Sequence, residues 1–395
     1  MAIETRPRLT LDDVLVIDAD VHAHEQPEQM LPYMDPPWRE ALANVAKVPQ
    51  RYLNRPGFSP SAAVGLPGSA LPSPRGKVRE EIVWNAAQMR RELDRLFIDV
   101  AVLFPDHFLK IAAIPDGRYA AALARAYNRW IEELWLHEQN DLYGVILACS
   151  QDPDEAVREI ERCAPNGRWV GIYLPTCQTY PLWGHRRYWR IYEVAQEVGL
   201  PVMLHSVSGS SWVFPFNSEQ MSSIAIHTAS HVFAMMSNLM SFMENGIPVR
   251  FPKLEICFTE AGLTWVPFLR LRLDKEYGEN RRQWPYYADR PSQYIKRMWF
   301  ATQPVEEPTN PRDLVDLIRI YDGEDTTVFA SDWPHHDFDH PRAVFDLPIP
   351  PEYKRKLMGE NALRLFPRIE VPAKYSSQFS ASRQPSPSPR VGGDQ

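Results

Sequence analysis

The chain is poor in cysteine and has no long apolar run. Its four cysteines, at positions 149, 163, 177 and 257, form no C-x-x-C pair, which argues against a thiolate zinc site or a disulfide framework. No apolar stretch reaches the ~18 residues of a membrane-spanning helix, and the first twenty residues lack the apolar core of a signal peptide. We therefore expect a soluble protein of the reducing cytoplasm.

An excess of basic residues is also lacking. The chain has 43 Lys and Arg against 50 Asp and Glu, a net charge of −7, so no basic stripe is available for a phosphate backbone and nucleic acid is not an expected partner. Of the 395 residues, 44% are apolar and 24% are charged. This composition is globular and excludes a collagen-like or wholly disordered chain.

Proline is the residue present in excess, with 37 copies. Two small, polar stretches are rich in proline and serine, residues 59–76 and the C-terminal end from residue 375. Such segments have too little apolar surface to offset the entropy lost on ordering. We predict one barrel domain over residues 1–370, with a long loop or insert at 25–77 after the first strand, and a disordered tail at 371–395.

Eight short apolar runs alternate with amphipathic stretches of helical period. The runs are residues 14–20, 98–104, 143–149, 170–174, 201–205, 254–260, 298–302 and 327–332. The helical stretches are residues 118–140, 153–164, 188–198, 227–245, 262–277, 311–321 and 351–366. Near-continuous apolar character is typical of strands covered on both faces. The α/β alternation therefore favours a (β/α)8 TIM barrel over a doubly wound sheet.

Ionisable residues follow several of these runs, where a barrel gathers its active site. They are Asp20, His22 and His24 after the first run, His205 at the fifth, Glu260 at the sixth, and Asp332 with His335 and His336 at the eighth. The second, third and fourth runs are followed by residues that do not ligate strongly, namely Pro105, Ser150 and Pro175. The ligand-type residues thus fall on a subset of strand ends, where they can converge.

Four of these residues predict a metal centre. Asp20 and His22 are two apart on an extended segment and project to the same side, about 6.6 Å apart along the strand. His205 and Asp332 enter from other strands, completing a nitrogen and oxygen set suited to zinc, manganese or iron. A single histidine at a strand end is more often structural, but buried carboxylates are costly without a cation. We predict a divalent ion at this group, with Glu260 as a further candidate ligand.

Five segments match one family in order and spacing. They are the D-x-H pair at Asp20 and His22, PVMLHS around His205, RFPKLEICFTEAG containing Glu260, ASDWPHHD containing Asp332, and GENALRLF near the end. Together they resemble the amidohydrolase-related family that includes aminocarboxymuconate-semialdehyde decarboxylase and the resorcylate-type decarboxylases. The resemblance covers residues 14–368. It implies a metal-dependent barrel with the ion at the four positions named above, and a homo-oligomer or an assembly with a related barrel.

Three positions depart from the family pattern. Asp20 stands where members often have His or Glu, and it still supplies a ligand. Glu260 stands where many members carry a histidine that acts as an acid/base or water-orienting group. The fourth strand end has no lysine or glutamate to bridge two ions, a role that Glu260 is able to take from the sixth strand.

These residues predict an enzyme with a small-molecule substrate. We expect a metal-dependent hydrolase or non-oxidative decarboxylase acting on a planar or aromatic carboxylate, in which Asp332 or Glu260 moves a proton. His335 is a further catalytic candidate. An alternative is a non-haem iron or di-metal oxygenase, since three carboxylates and several imidazoles suffice for two ions. A third possibility is a catalytically idle partner subunit.

Two further residues are candidates for substrate contact. Trp212 lies seven residues beyond His205 and can form an aromatic wall. His227 shares a helix face with His231, but Thr228 occupies the place of the base in an H-E-x-x-H zinc motif. A packing or substrate-facing role is therefore preferred to ligation for this pair.

Overall fold

The chain forms one parallel barrel of eight strands, each paired with the next along the sequence. The structure is a computed structural model and describes residues 9–47, 85–137, 140–176, 178–207, 223–335 and 337–379. The strands are β1 Ile17–Ala23, β2 Val100–Pro105, β3 Leu142–Leu147, β4 Trp169–Pro175, β5 Val202–His205, β6 Ile256–Thr259, β7 Trp299–Ala301 and β8 Thr327–Val328. The predicted (β/α)8 fold is confirmed.

Helices follow the strands and pack around them. They are α1 Pro27–Met30, α2 Trp38–Lys47, α3 Ala86–Arg95, α4 Gly117–Leu134, α5 Pro153–Cys163, α6 Trp189–Val198, α7 Ser223–Glu244, α8 Ile247–Arg250, α9 Trp265–Asn280, α10 Pro291–Ile295, α11 Pro311–Ile320, α12 Pro341–Phe345, α13 Pro351–Arg355, α14 Asn361–Leu365 and α15 Ser376–Phe379. A π-helical segment, Lys356–Glu360, links α13 to α14. Six of these helices begin at proline, where its missing N–H costs nothing.

Shorter 3-10 segments occupy several of the connections. They are Leu11–Asp13, Leu31–Tyr33, His107–Ala113, Arg186–Tyr188, Arg281–Gln283, Gly323–Asp325 and Ala373–Tyr375. Every residue of the eight strands is buried. Burial on both faces is the physical reason why the strands read as continuous apolar runs.

The barrel closes at an irregular seam between β1 and the residues after β8. The Ala19 N–H donates to Phe329 O at 2.9 Å, and the Asp332 N–H donates to Asp20 O at 2.9 Å. The predicted strand at 327–332 is shorter in the structure: β8 ends at Val328, and Asp332 has φ +62°, outside the extended region. The first strand begins three residues later than predicted, so Asp20 and His22 lie within it.

The packed structure continues past the predicted domain end at residue 370. Tyr375 is buried, and its hydroxyl donates to Val14 O at 2.9 Å. This contact ties Ala373–Tyr375 and α15 to the barrel, so the predicted tail at 371–395 begins too early. The remainder of that tail, 380–395, and residues 48–84 of the insert region lie outside the described residues.

Two expectations from composition concern membrane-spanning helices and cysteines. Over the described ranges, no helix combines the length and apolar character needed to cross a membrane. Cys149, Cys163 and Cys257 are buried free thiols, while Cys177 lies outside the described residues.

Gly359 provides a test of the packing against the segment that precedes β1. A Cβ at this position would lie 2.4 Å from the carbonyl oxygen of Leu15. We expect Gly359→Ala to lower the free energy of unfolding by about 1–3 kcal/mol, because backbone must shift to relieve the overlap. In α9, a Cβ at Gly278 would meet no atom within 4 Å, so Gly278→Ala should raise it by about 0.5–1 kcal/mol. Urea unfolding measures the free energy of unfolding of both variants. Equal values for the two variants would contradict the close contact between Gly359 and Leu15.

Candidate active site

Four side chains meet at the mouth of the barrel. Asp20 and His22 come from β1, His205 ends β5, and Asp332 follows β8. One ligand atom from each lies within 4.8 Å of the others, and all four residues are fully buried. The structure thus brings together the group of residues that the sequence predicts, at the carboxyl ends of the strands.

Hydrogen bonds to backbone carbonyls set the orientation of both histidine rings. His22 Nδ1 lies 2.7 Å from Pro105 O, and His205 Nδ1 lies 2.6 Å from Ser206 O. A carbonyl oxygen can only accept, so Nδ1 carries a proton in each ring and Nε2 is the atom available to an ion. Metal-binding histidines use this arrangement to present Nε2 to an ion.

Both Nε2 atoms face carboxylate oxygens. His22 Nε2 lies 2.8 Å from Asp332 Oδ1, and His205 Nε2 lies 3.2 Å from Asp20 Oδ2. None of the two Nε2 atoms and the two Asp20 oxygens forms a hydrogen bond among the described residues. Buried lone pairs that face one another are costly unless a positive charge lies between them. The donor set therefore fits a divalent cation, and its chemistry suits zinc, manganese or iron.

The charges around His205 also favour a positive charge at this site. Burial opposes a charge on this ring, but Asp20 and Glu260 raise the pKa of His205 well above its ordinary value. In the metal-free protein, the acids around this histidine thus favour a positive charge among them.

Glu260 lies beside this group rather than within it. It belongs to a second group with Asp332 and His335, whose ligand atoms also lie within 4.8 Å of one another. Its Oε2 is 3.1 Å from His205 Nδ1, and its Oε1 is 3.7 Å from His231 Nδ1. Glu260 has φ +61°, a left-handed backbone conformation that is rare outside glycine. Such strain persists where the surrounding structure imposes it, often at functional sites.

His335 connects Asp332 to a second acid. Its Nδ1 lies 2.7 Å from Asp332 Oδ1, and its Nε2 lies 3.5 Å from Asp106 Oδ1. Its ring stacks on His22 with centroids 4.1 Å apart. Burial opposes the charged form, but Asp332 and Asp106 raise the pKa of His335 well above its ordinary value. The other predicted histidine, His336, lies outside the described residues.

Asp106 is a site residue that the sequence reasoning missed. It follows Pro105, the last residue of β2, and it also accepts a hydrogen bond from His24 Nδ1. Its N–H donates to the carboxylate of Glu25 at 3.0 Å. The signal was present one residue beyond the strand end. Because Pro105 directly follows the predicted apolar run and offers no side-chain ligand, the pattern does not indicate the acid that comes next.

Gln303, after β7, was also missed. Its Nε2 lies 3.3 Å from Asp332 Oδ2 and 3.3 Å from Asp337 Oδ2. It carries no charge and matches no ligand pattern, so only the fold reveals its position.

The two helix histidines face the same end of the barrel. His227 Nε2 lies 3.2 Å from Asp337 Oδ2, and its ring centroid lies 4.6 Å from that of His231. Neither histidine belongs to the two candidate ligand groups found among the described residues. The predicted substrate contact at Trp212 lies outside the described residues.

The charge on Asp106 provides a test of these contacts. Burial raises its pKa, but hydrogen bonds from His24 and His335 outweigh that effect and lower the pKa of Asp106 well below its ordinary value. The carboxylate therefore stabilises the fold above the unfolded-state pKa of about 3.9, and this contribution is lost as pH falls through the folded-state value. We expect Asp106→Asn to lower the free energy of unfolding by about 1.5–3 kcal/mol at about pH 6, with a smaller difference near pH 3.

Urea unfolding across this pH range measures the difference. The exposed residue Asp316 serves as the control, and Asp316→Asn should follow the wild type within about 0.5 kcal/mol. A difference for Asp106→Asn that does not change with pH would contradict the assignment.

One family model covers the part of the chain that contains this site. The sequence profile of the family described as Amidohydrolase matches residues 19–368. The matched range includes both candidate ligand groups.

The sequence identity between this chain and individual relatives is low. The chain is 26% identical over 278 residues to gamma-resorcylate decarboxylase from Polaromonas sp., covering 65% of this chain and 79% of the relative. A Polaromonas dihydroxybenzoic acid decarboxylase structure, with bound manganese and the inhibitor 2-nitroresorcinol, has a TM-score of 0.62 at 18% identity, covering 91% of this chain and 98% of that one. A 5-carboxyvanillate decarboxylase from Sphingomonas paucimobilis has a TM-score of 0.64 at 20% identity, covering 90% and 100%. The structural likeness establishes a shared fold.

Proposed function

This chain belongs to the amidohydrolase family, and we propose that it is a metal-dependent, non-oxidative decarboxylase of a hydroxylated aromatic carboxylate. The gamma-resorcylate decarboxylase relative supports this reaction class. The two structural neighbours act on dihydroxybenzoic acid and on 5-carboxyvanillate. A ring that bears a carboxylate beside a phenol oxygen is therefore the substrate class to test first.

The proposed ligands of the ion are Asp20, His22, His205 and Asp332. The lone pairs on the two Nε2 atoms and the unpaired oxygens of Asp20 support this assignment. Manganese is the first ion to test, because the Polaromonas neighbour holds it. When bound, the ion supplies Lewis-acid chemistry and a fixed positive charge for the substrate's carboxylate and phenol oxygens.

The observation that carries the proposal is the position of Asp332. Its Oδ1 lies 2.8 Å from His22 Nε2 on one side and 2.7 Å from His335 Nδ1 on the other. One carboxylate thus touches both the ion site and a histidine able to hold a proton. That pairing is what a reaction combining carboxylate binding with proton transfer requires.

In the proposed reaction, the ring carbon that bears the carboxylate accepts a proton. The bond to the carboxyl carbon then breaks, CO₂ leaves, and the bonding electrons return to the ring. Asp332 delivers this proton, which it receives from His335 Nδ1, while Asp106 holds the ring of His335 from the other side. Glu260 is the second candidate donor, since it lies in the same group as Asp332 and His335.

Activity of the manganese-loaded protein tests this function. We expect CO₂ release from gamma-resorcylate or 5-carboxyvanillate, and a fall in kcat of about 10²–10⁴-fold for Asp332→Asn, the range lost with a general acid. Asp316→Asn, at an exposed surface position, should keep the wild-type rate. Hydrolysis of ester or amide substrates with no CO₂ release would overturn the proposal in favour of a hydrolase that uses the same residues.

Metal removal tests the ligand assignment. Chelation should lower the free energy of unfolding, and Mn²⁺ at a hundredfold excess over its Kd should restore about 2.7 kcal/mol. Asp20→Asn should abolish this gain. Thermal and urea unfolding measure these effects, and an undiminished response of Asp20→Asn to Mn²⁺ would exclude it as a ligand.

A further inference from the structure

Gln303 is a fully buried amide that lies between two acids. It follows β7 and is 0% exposed, and its Nε2 lies 3.3 Å from Asp332 Oδ2 and 3.3 Å from Asp337 Oδ2. We propose that Gln303 is a positioning residue, which holds the carboxylate of Asp332 in the orientation that ion binding and proton delivery require. The part of this inference that concerns proton delivery rests on the proposed function.

The carboxylate of Asp332 needs contacts on both of its oxygens to stay in one plane. Its Oδ1 lies 2.8 Å from His22 Nε2 and 2.7 Å from His335 Nδ1. Rotation about the bond that joins a carboxylate to its side chain is only weakly restricted by intrinsic preference. Contacts to Oδ1 alone therefore do not fix the plane of the carboxylate. The hydrogen bond that Gln303 Nε2 donates to Oδ2 removes this freedom.

The direction of the Gln303 amide is fixed by the charges next to it. Carboxylate oxygens of Asp332 and Asp337 lie beside one end of the amide, and only its NH₂ group is able to donate hydrogen bonds to both. Turning the amide over would place Oε1 against the same oxygens, with repulsion in place of two charge-assisted hydrogen bonds. Asp337 thus helps to hold the donor toward Asp332. His227 contacts Asp337 in turn, since its Nε2 lies 3.2 Å from the same Oδ2.

The cost of burying this amide supports a role beyond packing. Gln303 Oε1 is buried and forms no hydrogen bond among the described residues. A buried acceptor without a donor destabilises a fold, and an apolar side chain of the same length would avoid that cost. The benefit that offsets it lies at Nε2, the atom that contacts Asp332.

The backbone around Gln303 is anchored to the neighbouring strand ends. Its carbonyl oxygen accepts a hydrogen bond from the Gly262 N–H at 3.2 Å, on the segment after β6. The Val305 N–H donates to Asp339 Oδ2 at 2.7 Å, on the segment after β8. These contacts on both sides fix the point from which the side chain extends, as a residue that orients a metal ligand requires.

The experiment compares Mn²⁺ binding by the chelated, full-length wild type and by Gln303→Met. Methionine keeps the length of the side chain and suits a buried position, but it has no donor for Asp332. Equilibrium dialysis with Mn²⁺ alone gives the Kd. We expect the Kd to rise about 10–100-fold, the loss typical when the hydrogen-bond partner of a metal ligand is removed. Gln303→Leu is a second variant with the same expected result, and thermal unfolding checks that each variant is folded.

The exposed residue Gln283 provides the matched control. Gln283→Met should keep the Kd for Mn²⁺ within about threefold of the wild type. A purely structural role of Gln303 predicts a lower unfolding temperature for Gln303→Met with the Kd for Mn²⁺ unchanged.

Activity at saturating Mn²⁺ tests proton delivery. The kcat of Gln303→Met for CO₂ release from gamma-resorcylate should fall about 10–100-fold. Its KM should change by less than about threefold, because the ion that binds the substrate is still loaded. Gln283→Met should keep the wild-type kcat.

The outcomes distinguish this proposal from the proposed function. If the wild type releases no CO₂, the proposed function fails, and the Mn²⁺ affinities still decide the role of Gln303. The role of Gln303 is overturned if a folded Gln303→Met or Gln303→Leu variant keeps the wild-type Kd for Mn²⁺. It is also overturned if an active wild type and these variants share the same kcat at saturating Mn²⁺.

Discussion

The site depends on two hydrogen bonds from histidine rings to backbone carbonyls. Pro105 O and Ser206 O fix the protons of His22 and His205 on Nδ1, so both Nε2 lone pairs face buried carboxylates. In this arrangement the Nε2 atoms and the carboxylate oxygens meet at one point, where a positive charge is needed between them. The barrel therefore holds a cluster of acceptors that a cation completes, and the proposals for binding and chemistry begin from this constraint.

The seam of the barrel places those acceptors together. β8 is only two residues long, and closure relies on contacts between β1 and the residues that follow β8. The Asp332 N–H donates to Asp20 O, and the Ser331 N–H donates to the Asp18 carboxylate. Burial raises the pKa of Asp18 to about 8. The same contacts that close the cylinder thus bring two candidate ligands from opposite ends of the chain to adjacent positions.

Much of this arrangement was predictable. The barrel, the amidohydrolase family and an enzymatic role were expected from the alternating runs and the motifs around His205 and Asp332, and they are confirmed. The roles of individual site residues stay predictions. The sequence patterns did not indicate Asp106, which lies one residue past β2, or Gln303, which is uncharged. Their positions follow from where β2 and β7 end, which sequence patterns locate only to within a few residues.

The sequence by itself determined which residue types stand at the strand ends and in what order, because burial on both faces leaves a continuous apolar signature that ends at polar residues. Only the tertiary structure decided which of them touch. Glu260 lies between His205 and His231, and His335 lies between Asp332 and Asp106. These contacts join residues far apart in the chain, and they depend on the curvature of a closed barrel, which local patterns do not encode.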